Sequence, residues 1–361
     1  MKNILYYLRQ YGDISFSRHA FNEVDSLILC QLSYLNFDLY VAESEVFLLS
    51  LLDDEQIERL SENTFSPKKN IRLLRILRQS KRYQTIRLCH LRNHLSYEEC
   101  EQFYALTFVL DDFLYLAFRG TDLTILGWQE NFNMAYLKEV PAQRDSVLYV
   151  NEIFAKYHRP MIIGGHSKGG NLALYSALYS KPEVNDYIRK VYNFDGPGFY
   201  KDIFSHQEYL ALKDKVVTMT TQEAVIGVLL YHVDNLIFIK AKGFSVFQHE
   251  PYNWKVSRLG LLYRVKINSI PSRWFDRAVR HFFEDTTEEE RKQFVNLLFT
   301  IVMITPKASV NDFRFHPIRF LFRVFRKYKG LTKEEKRFFK KTLKKFRKSF
   351  SHTLRLKLKG K

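Results

Sequence analysis

Cysteine is scarce in this chain. Three residues in 361 (Cys30, Cys89 and Cys100) are too few, and odd in number, for a disulfide framework or a cysteine-rich zinc module, and they fit a reducing compartment. Long apolar runs are absent as well. No stretch reaches the roughly 18 apolar residues that a membrane span needs. The best run, Phe294–Ile304, is eleven residues long and interrupted by Asn296 and Thr300, so it reads as a buried helix. The first residues, MKNILYYLRQYGD, have neither a continuous apolar segment nor a small-residue cleavage site, so no signal peptide is expected. These absences point to a soluble, cytoplasmic protein. Acidic residues are almost missing from one region only. Residues 313–361 hold 19 of the 56 Lys and Arg but only 2 of the 39 Asp and Glu, which leaves 37 of each sign in residues 1–312. The formal charge of +17 therefore belongs to a cationic tail on a neutral body.

Core material is plentiful. The chain is 46% hydrophobic, with 31 Phe and 22 Tyr, enough for one large domain and a smaller appendage. Residues 20–36 carry Val24, Leu27, Ile28, Leu32 and Leu35 at helical spacing, and residues 55–80 read as two short helices. Thr85–Leu91 reads as a strand. Phe103–Leu110 and Phe113–Phe118 flank Asp111-Asp112 as a hairpin with a two-residue turn. Strand and helix then alternate: a helix over 142–158, strand Pro160–Gly165, helix Asn171–Tyr179, strand Lys190–Phe194, a helical stretch ending near Lys213, and strands Val216–Thr221 and Leu236–Lys240. Such alternation implies an α/β fold with a mainly parallel sheet covered on both faces, made mixed by the early hairpin. Beyond residue 255 the pattern turns helical. Pro271–Glu284 and Thr287–Thr305 are separated from a basic last helix, starting at Thr332, by a linker over Pro306–Asp312. Thr287 with Glu290, and Thr332 with Glu335, have capping-box spacing.

Gly165-His166-Ser167-Lys168-Gly169-Gly170, between a short apolar strand and a helix, has the form of a nucleophile elbow. The glycines leave room for the serine to project from a strained strand-to-helix turn, and the helix N-terminus favours negative charge developing beside it. A serine hydroxyl needs a base, and the base an orienting acid, which in this arrangement follow in the order Ser, acid, His. Asp195, 28 residues after Ser167 at the end of the next strand and before Gly196-Pro197-Gly198, is the first acid that fits; Glu223 competes. Six histidines lie downstream: His206, His232, His249, His281, His316 and His352. His249 alone falls on a loop after the last strand and is the candidate base. The oxyanion hole would use the backbone N–H groups of Lys168 and Thr121, the latter on the turn Phe118-Arg119-Gly120-Thr121-Asp122. Arg119 and Asp122 read as a structural ion pair that fixes this turn.

FRGTD…GW…NFNM (118–134) and GGHSKGGNLA (164–173) resemble the class 3, or fungal-type, lipase branch of the α/β-hydrolases. The chain is more similar still to a bacterial family of that branch, the Mbeg-like proteins, whose motifs NEVDSLILCQLSYLNF (22–37), VYNFDGPGF (191–199) and QHEPYNW (248–254) resemble. The resemblance covers residues 1–255. It implies an α/β-hydrolase that cleaves a carboxylic ester or lipid acyl bond through an acyl-serine, with Ser167 as nucleophile, Thr121 as first oxyanion residue and His249 as the late histidine. No metal or organic cofactor is implied. The chain departs from the branch in two ways. Lys168 stands where an apolar residue is usual, either serving an anionic head group or lying solvated or ion-paired at the helix start. The acid usually comes from the segment matching Thr221-Gln222-Glu223-Ala224-Val225, which has no Asp.

The reading that results is a hydrolase domain over 1–270 and a helical region over 271–361 with its cationic tail at 313–361. Phe313, Phe315, Phe320, Phe322 and Phe325 interleave with Arg314, Arg319, Arg323 and Arg326, and the last helix puts Phe339, Leu343, Phe346 and Phe350 on one stripe. This pattern suits peripheral attachment to an anionic membrane surface, the inner face for a cytoplasmic protein. A solvated charge run and nucleic-acid binding are the competing readings, the last without any recognisable nucleic-acid motif. The rival to catalysis is a silent hydrolase-like scaffold that binds lipid or protein.

Overall fold

The computed structural model describes residues 2–41, 47–199, 203, 206–232, 236–266, 270–302 and 317–358. Four helices fall within residues 4–79: α1 (Ile4–Tyr11), α2 (Glu23–Leu32), α3 (Asp54–Ser61) and α4 (Pro67–Gln79). Their starts are written in the sequence. The Asn3 side chain accepts from the N–H groups of Leu5 and Tyr6, and capping boxes join Asn22 with Asp25 and Asp53 with Gln56. The strands are β1 (Phe47–Leu48), β2 (Arg87–Ser96), β3 (Glu101–Val109), β4 (Leu114–Phe118), β5 (Met161–His166), β6 (Ile188–Phe194), β7 (Val216–Thr221), β8 (Ile237–Ile239) and β9 (Arg264–Val265). Between them lie α5 (Ile125–Asn133), α6 (Pro141–Tyr157), α7 (Lys168–Tyr179) and α8 (Gln207–Leu212). After them come α9 (Ile270–Glu284), α10 (Glu288–Val302), α11 (Pro317–Gly330) and α12 (Lys333–Leu358).

The nine strands form one sheet in chain order. Strands β4 to β8 run parallel, and β1–β4 and β8–β9 pair antiparallel. The expected hairpin is β3–β4, closed by the Leu110 N–H donating to the Phe113 carbonyl at 3.0 Å. Side chains of a strand alternate between faces, and here each face has its own core. Tyr104, Leu106, Phe108, Tyr115 and Ala117 face the N-terminal helices. Phe103, Ala105, Leu114, Leu116 and Phe118 face α6 and α7. The fold is that of an α/β-hydrolase: a mixed sheet with a parallel centre, helices on both faces, and a helical C-terminal extension.

That extension packs on α5. Val295 and Phe299 of α10 join Ile125 and Tyr136 in one apolar cluster. Arg291 donates to the carbonyls of Ala135, Phe283 and Thr286. Both expected capping boxes form, with Thr287 paired to Glu290 and Thr332 to Glu335. Part of the apolar stripe on α12 is used internally: Phe346 meets Phe282 at 5.2 Å and Phe339 stacks on Phe294 at 5.2 Å. The linker over 306–312, Phe313, Arg314 and Phe315 lie outside the described residues. Among those described, no helix is long and apolar enough to cross a membrane.

Candidate active site

Ser167 is the single residue between the end of β5 and the start of α7, with φ 59° and ψ −133°. A non-glycine residue reaches that region only when its surroundings fix it there. The Ser167 N–H donates to the Phe194 carbonyl of β6 at 2.9 Å, and its carbonyl accepts from the Gly170 N–H at 2.8 Å. The flanking glycines are required by close approach. A Cβ on Gly165 would run into the Gly169 backbone, and one on Gly169 into the Phe118 carbonyl. The serine is 8% exposed, at the start of a helix whose first N–H groups face it.

Asp195 ends β6 in the left-handed region, φ 53°, with its N–H donating to the Met219 carbonyl of β7 at 2.7 Å. This turn carries the carboxylate, itself 1% exposed, across the end of the sheet. One oxygen accepts from the Thr220 hydroxyl, and the other lies 2.5 Å from His249 Nδ1. Burial alone would raise the Asp195 pKa, but His249 and the Thr220 hydroxyl outweigh it and hold the carboxyl below its ordinary value. The competing acid does other work: the Glu223 carboxylate accepts from the Ser245 N–H at 3.2 Å, capping the turn that leads to His249. The other described histidines lie elsewhere. His206 precedes α8, His232 lies 3.5 Å from Arg280, and His281 pairs with Glu284. His316 falls outside the described residues, and the side chain of His352 is not among those described.

His249 sits on a short 3-10 turn, Ser245–His249, and its neighbours keep it in place. Gln248 is fully buried, accepting from the Glu223 N–H at 3.0 Å and donating to the Gly243 carbonyl at 2.9 Å. Trp254 Nε1 donates to the Gln248 carbonyl at 2.9 Å. Glu250 pairs with Lys69 at 2.7 Å, and the Tyr252 hydroxyl donates to Asn70 at 2.7 Å. His166 completes the clamp: its Nε2 lies 2.8 Å from the His249 carbonyl and its Nδ1 3.0 Å from the Tyr34 hydroxyl. A carbonyl only accepts, so Nε2 carries the ring proton and Nδ1 receives the tyrosine O–H. Burial, then the neighbouring His249, push the His166 pKa down to about 3, which keeps the ring neutral.

The expected oxyanion loop lies against the elbow. A Cβ on Gly120 would come within 2.9 Å of the Ser167 Cβ, so the next residue, Thr121, is carried to the same place. Asn131 of α5 donates to the Thr121 hydroxyl at 2.5 Å.

The Mbeg1-like family model matches residues 77–300. The chain belongs to the Mbeg1-like family. Among solved structures it is similar to native Rhizomucor miehei lipase in complex with its propeptide, at 18% identity over 50% of this chain and 70% of that one, TM-score 0.33. It is similar to the M37 lipase at 13% identity over 58% and 70%, TM-score 0.38. The Lip2 lipase from Yarrowia lipolytica matches at 13% identity over 51% and 72%, TM-score 0.33. No curated protein matches in sequence.

For this Mbeg1-like chain the geometry favours the ion-paired reading of Lys168 and overturns the Arg119–Asp122 pair. Lys168 does not face a head group. Its ammonium is fully buried, 2.5 Å from Glu130, and also donates to the Gln102 carbonyl. Glu130 further accepts from the N–H groups of Gln102 and Ala142, both at 3.1 Å. Lys168 therefore ties the helix start to β3 and α5. Arg119 and Asp122 form no ion pair with each other. The Arg119 guanidinium stacks 3.5 Å from the Tyr104 ring centroid, while Asp122 accepts from the N–H and hydroxyl of Thr124 and so stiffens the turn into α5.

Sequence reasoning missed Thr220, Gln248, Tyr34 and Glu130. Thr220 and Gln248 had a signal in lying next to loops already singled out, whereas the Tyr34 and Glu130 contacts span 132 and 38 residues. Among the described residues, the one compact His/Cys/Asp/Glu group able to hold a metal is His94, Glu101 and Asp145, which shares no member with Ser167, Asp195 and His249.

Proposed function

We propose that this protein is a serine hydrolase of the class 3 lipase type, cleaving a carboxylic ester, a lipid acyl ester above all, through an acyl-serine intermediate. Ser167 attacks the carbonyl carbon. His249 takes the hydroxyl proton at Nε2 and later returns it to the leaving alkoxide. Asp195 keeps Nδ1 protonated and stabilises the imidazolium as it forms. The N–H groups of Thr121 and Lys168 receive the oxyanion. Water then attacks the acyl-serine with the same base, releasing the acid and restoring the serine.

The observation that carries this reading is the 2.5 Å contact between Asp195 and His249 Nδ1, which commits one ring nitrogen to the acid and leaves the other for the serine. We assign this chemistry to residues 1–270 and peripheral attachment to the helices of 271–361. In α11, Leu321, Phe322 and Phe325 are more than half exposed among Arg323, Arg326, Lys327 and Lys329. An apolar patch ringed by cations suits an anionic membrane surface on the cytoplasmic side. Nucleic acid gains no support from this arrangement, because the exposed apolar residues serve no phosphate backbone.

A fluorophosphonate probe tests the proposal. The wild-type protein, supplied with anionic liposomes, should be labelled at Ser167, and Ser167→Ala should not be. A screen of ester and phospholipid substrates then finds the acyl donor. Absence of labelling in the folded wild-type protein favours the silent scaffold instead.

A further inference from the structure

On the face of the sheet that packs against α6, three ligand-type side chains converge outside the serine site. Ser96 of β2 pairs with Glu101 of β3, so His94, two residues back along β2, shares the face of Glu101. Asp145, in the second turn of α6, comes down on them. His94 Nδ1 lies 3.1 Å from the Glu101 carboxylate and 3.5 Å from the Asp145 carboxylate. One potential donor atom from each of the three lies within 4.8 Å of the other two.

The two carboxylates face a single half-exposed imidazole, which balances at most one charge. Glu101 is 1% exposed, yet its Oε1 accepts no hydrogen bond among the described residues. The nearby cations are committed elsewhere: Arg144 pairs with Glu99 at 3.5 Å and Lys168 with Glu130 at 2.5 Å. Two carboxylates this close, one of them buried, need a cation or a proton between them.

We propose that His94, Glu101 and Asp145 bind one divalent transition-metal cation, with water completing its coordination. Imidazole nitrogen with two carboxylates is a donor set suited to Zn²⁺ or Mn²⁺ rather than to Ca²⁺. Tetrahedral Zn²⁺ with bonds near 2.0 Å places its ligands about 3.3 Å apart, and the two spacings from His94, 3.1 and 3.5 Å, bracket that value. The cation would staple the β2–β3 hairpin to α6. It would do so next to Gln102, whose carbonyl and N–H hold the Lys168–Glu130 pair beneath the elbow. Its role is that of a structural clasp on the scaffold, independent of whether Ser167 is a nucleophile.

The test uses the full chain, stripped with a chelator and titrated with ZnCl2 or MnCl2. Calorimetry should find one saturable site that is lost in His94→Gln, an exposed position where folding is not at stake. Metal at a hundredfold excess over Kd should raise the wild-type Tm by about 4 °C, and should leave His94→Gln and Asp145→Asn unmoved. Equal binding by wild type and His94→Gln would place the metal on other residues and overturn the proposal. So would the lack of any Zn²⁺ or Mn²⁺ effect up to 1 mM (about 10⁻³ M, the weak limit for a specific site). In that event a proton fills the gap, because burial and Asp145 push Glu101 up to about 8.

Discussion

Replacing Lys168 by Met should destabilise the protein far more than removing any surface cation. Lys168 and Glu130 are both fully buried and 2.5 Å apart, so Lys168→Met leaves a carboxylate in the interior with two backbone N–H donors and no counter-charge. The Gln102 carbonyl loses its donor as well. Breaking one side of a buried pair costs about 3–5 kcal/mol. With an unfolding entropy of about 2.1 cal/mol/K per residue, the 361-residue chain should lose about 4–7 °C in Tm. The Arg59–Glu55 pair is an internal control. Its side chains are 60% and 73% exposed, and Arg59→Ala should cost under about 1 kcal/mol. The double variant Lys168→Met/Glu130→Gln, which removes both charges and keeps an acceptor for one of the two N–H groups, should recover part of the loss. Chemical denaturation of the four proteins of this cycle reads the coupling directly. A cost below about 1 kcal/mol for Lys168→Met, or a double variant worse than the sum of the singles, would refute the reasoning. If instead Lys168 binds a head group, its loss would change substrate preference without changing stability.

Other consequences follow from the same geometry. Asp195→Asn should lower kcat/KM for any ester substrate by about 10³–10⁴-fold with the fold intact, because Nδ1 loses its acceptor; an equal or larger loss in Glu223→Gln would reassign the acid. The His166 pKa falls to about 3 in the folded state against about 6.5 unfolded, so the unfolded chain binds more protons between these values. Stability should therefore drop as pH falls through that window, by up to about 1.4 kcal/mol per unit from this group. Denaturation curves from pH 7 to 4 should lose that slope component in His166→Asn, and an unchanged slope in that variant would count against the assignment. The depressed Asp195 pKa acts in the same direction, with stability present above the unfolded pKa and lost as pH falls through the folded one. Phe322→Ser/Phe325→Ser should cut partitioning onto anionic liposomes by about tenfold or more, while leaving fluorophosphonate labelling without liposomes unchanged. Equal partitioning of variant and wild type would move the attachment site off α11.

The alternation of strand and helix was legible because each parallel strand is a short apolar run bounded by turn residues, and Val216–Thr221 coincides with its expected span. The placement of Ser167, Asp195 and His249 was legible because each sits at a strand end or on the loop expected to reach it. Lys168 was not legible as a buried residue. A lysine at the first position of a helix is ordinarily solvated, and only the tertiary arrival of Glu130 and the Gln102 carbonyl makes burial tolerable. The Arg119–Asp122 pairing failed for a similar reason. Two opposite charges three apart suggested an ion pair, but an aromatic face and a helix cap, both nearer than the opposite charge, took them. The stripe on α12 was correct as a pattern and ambiguous as to partner, because periodicity does not distinguish a neighbouring helix from a lipid surface.

The long-range contacts also locate what the site depends on. The family match begins at residue 77, yet the loop that bears His249 is fastened by groups that precede it. Lys69 holds Glu250, Asn70 holds Tyr252, and Tyr34 fixes the tautomer of His166, which in turn holds the His249 carbonyl. Behind them a second network ties these helices together. Asp25 of α2 accepts from Arg82, Tyr7 and Tyr83, with the Arg82–Asp25 ion pair fully buried. The loop itself has no regular structure beyond a 3-10 turn, so its ring orientation must come from these partners rather than from a strand ladder. His249, 54 residues from Asp195, is thus held by polar contacts to α4 and to Tyr34 just after α2, and the unit that must fold to hold this loop begins well before residue 77.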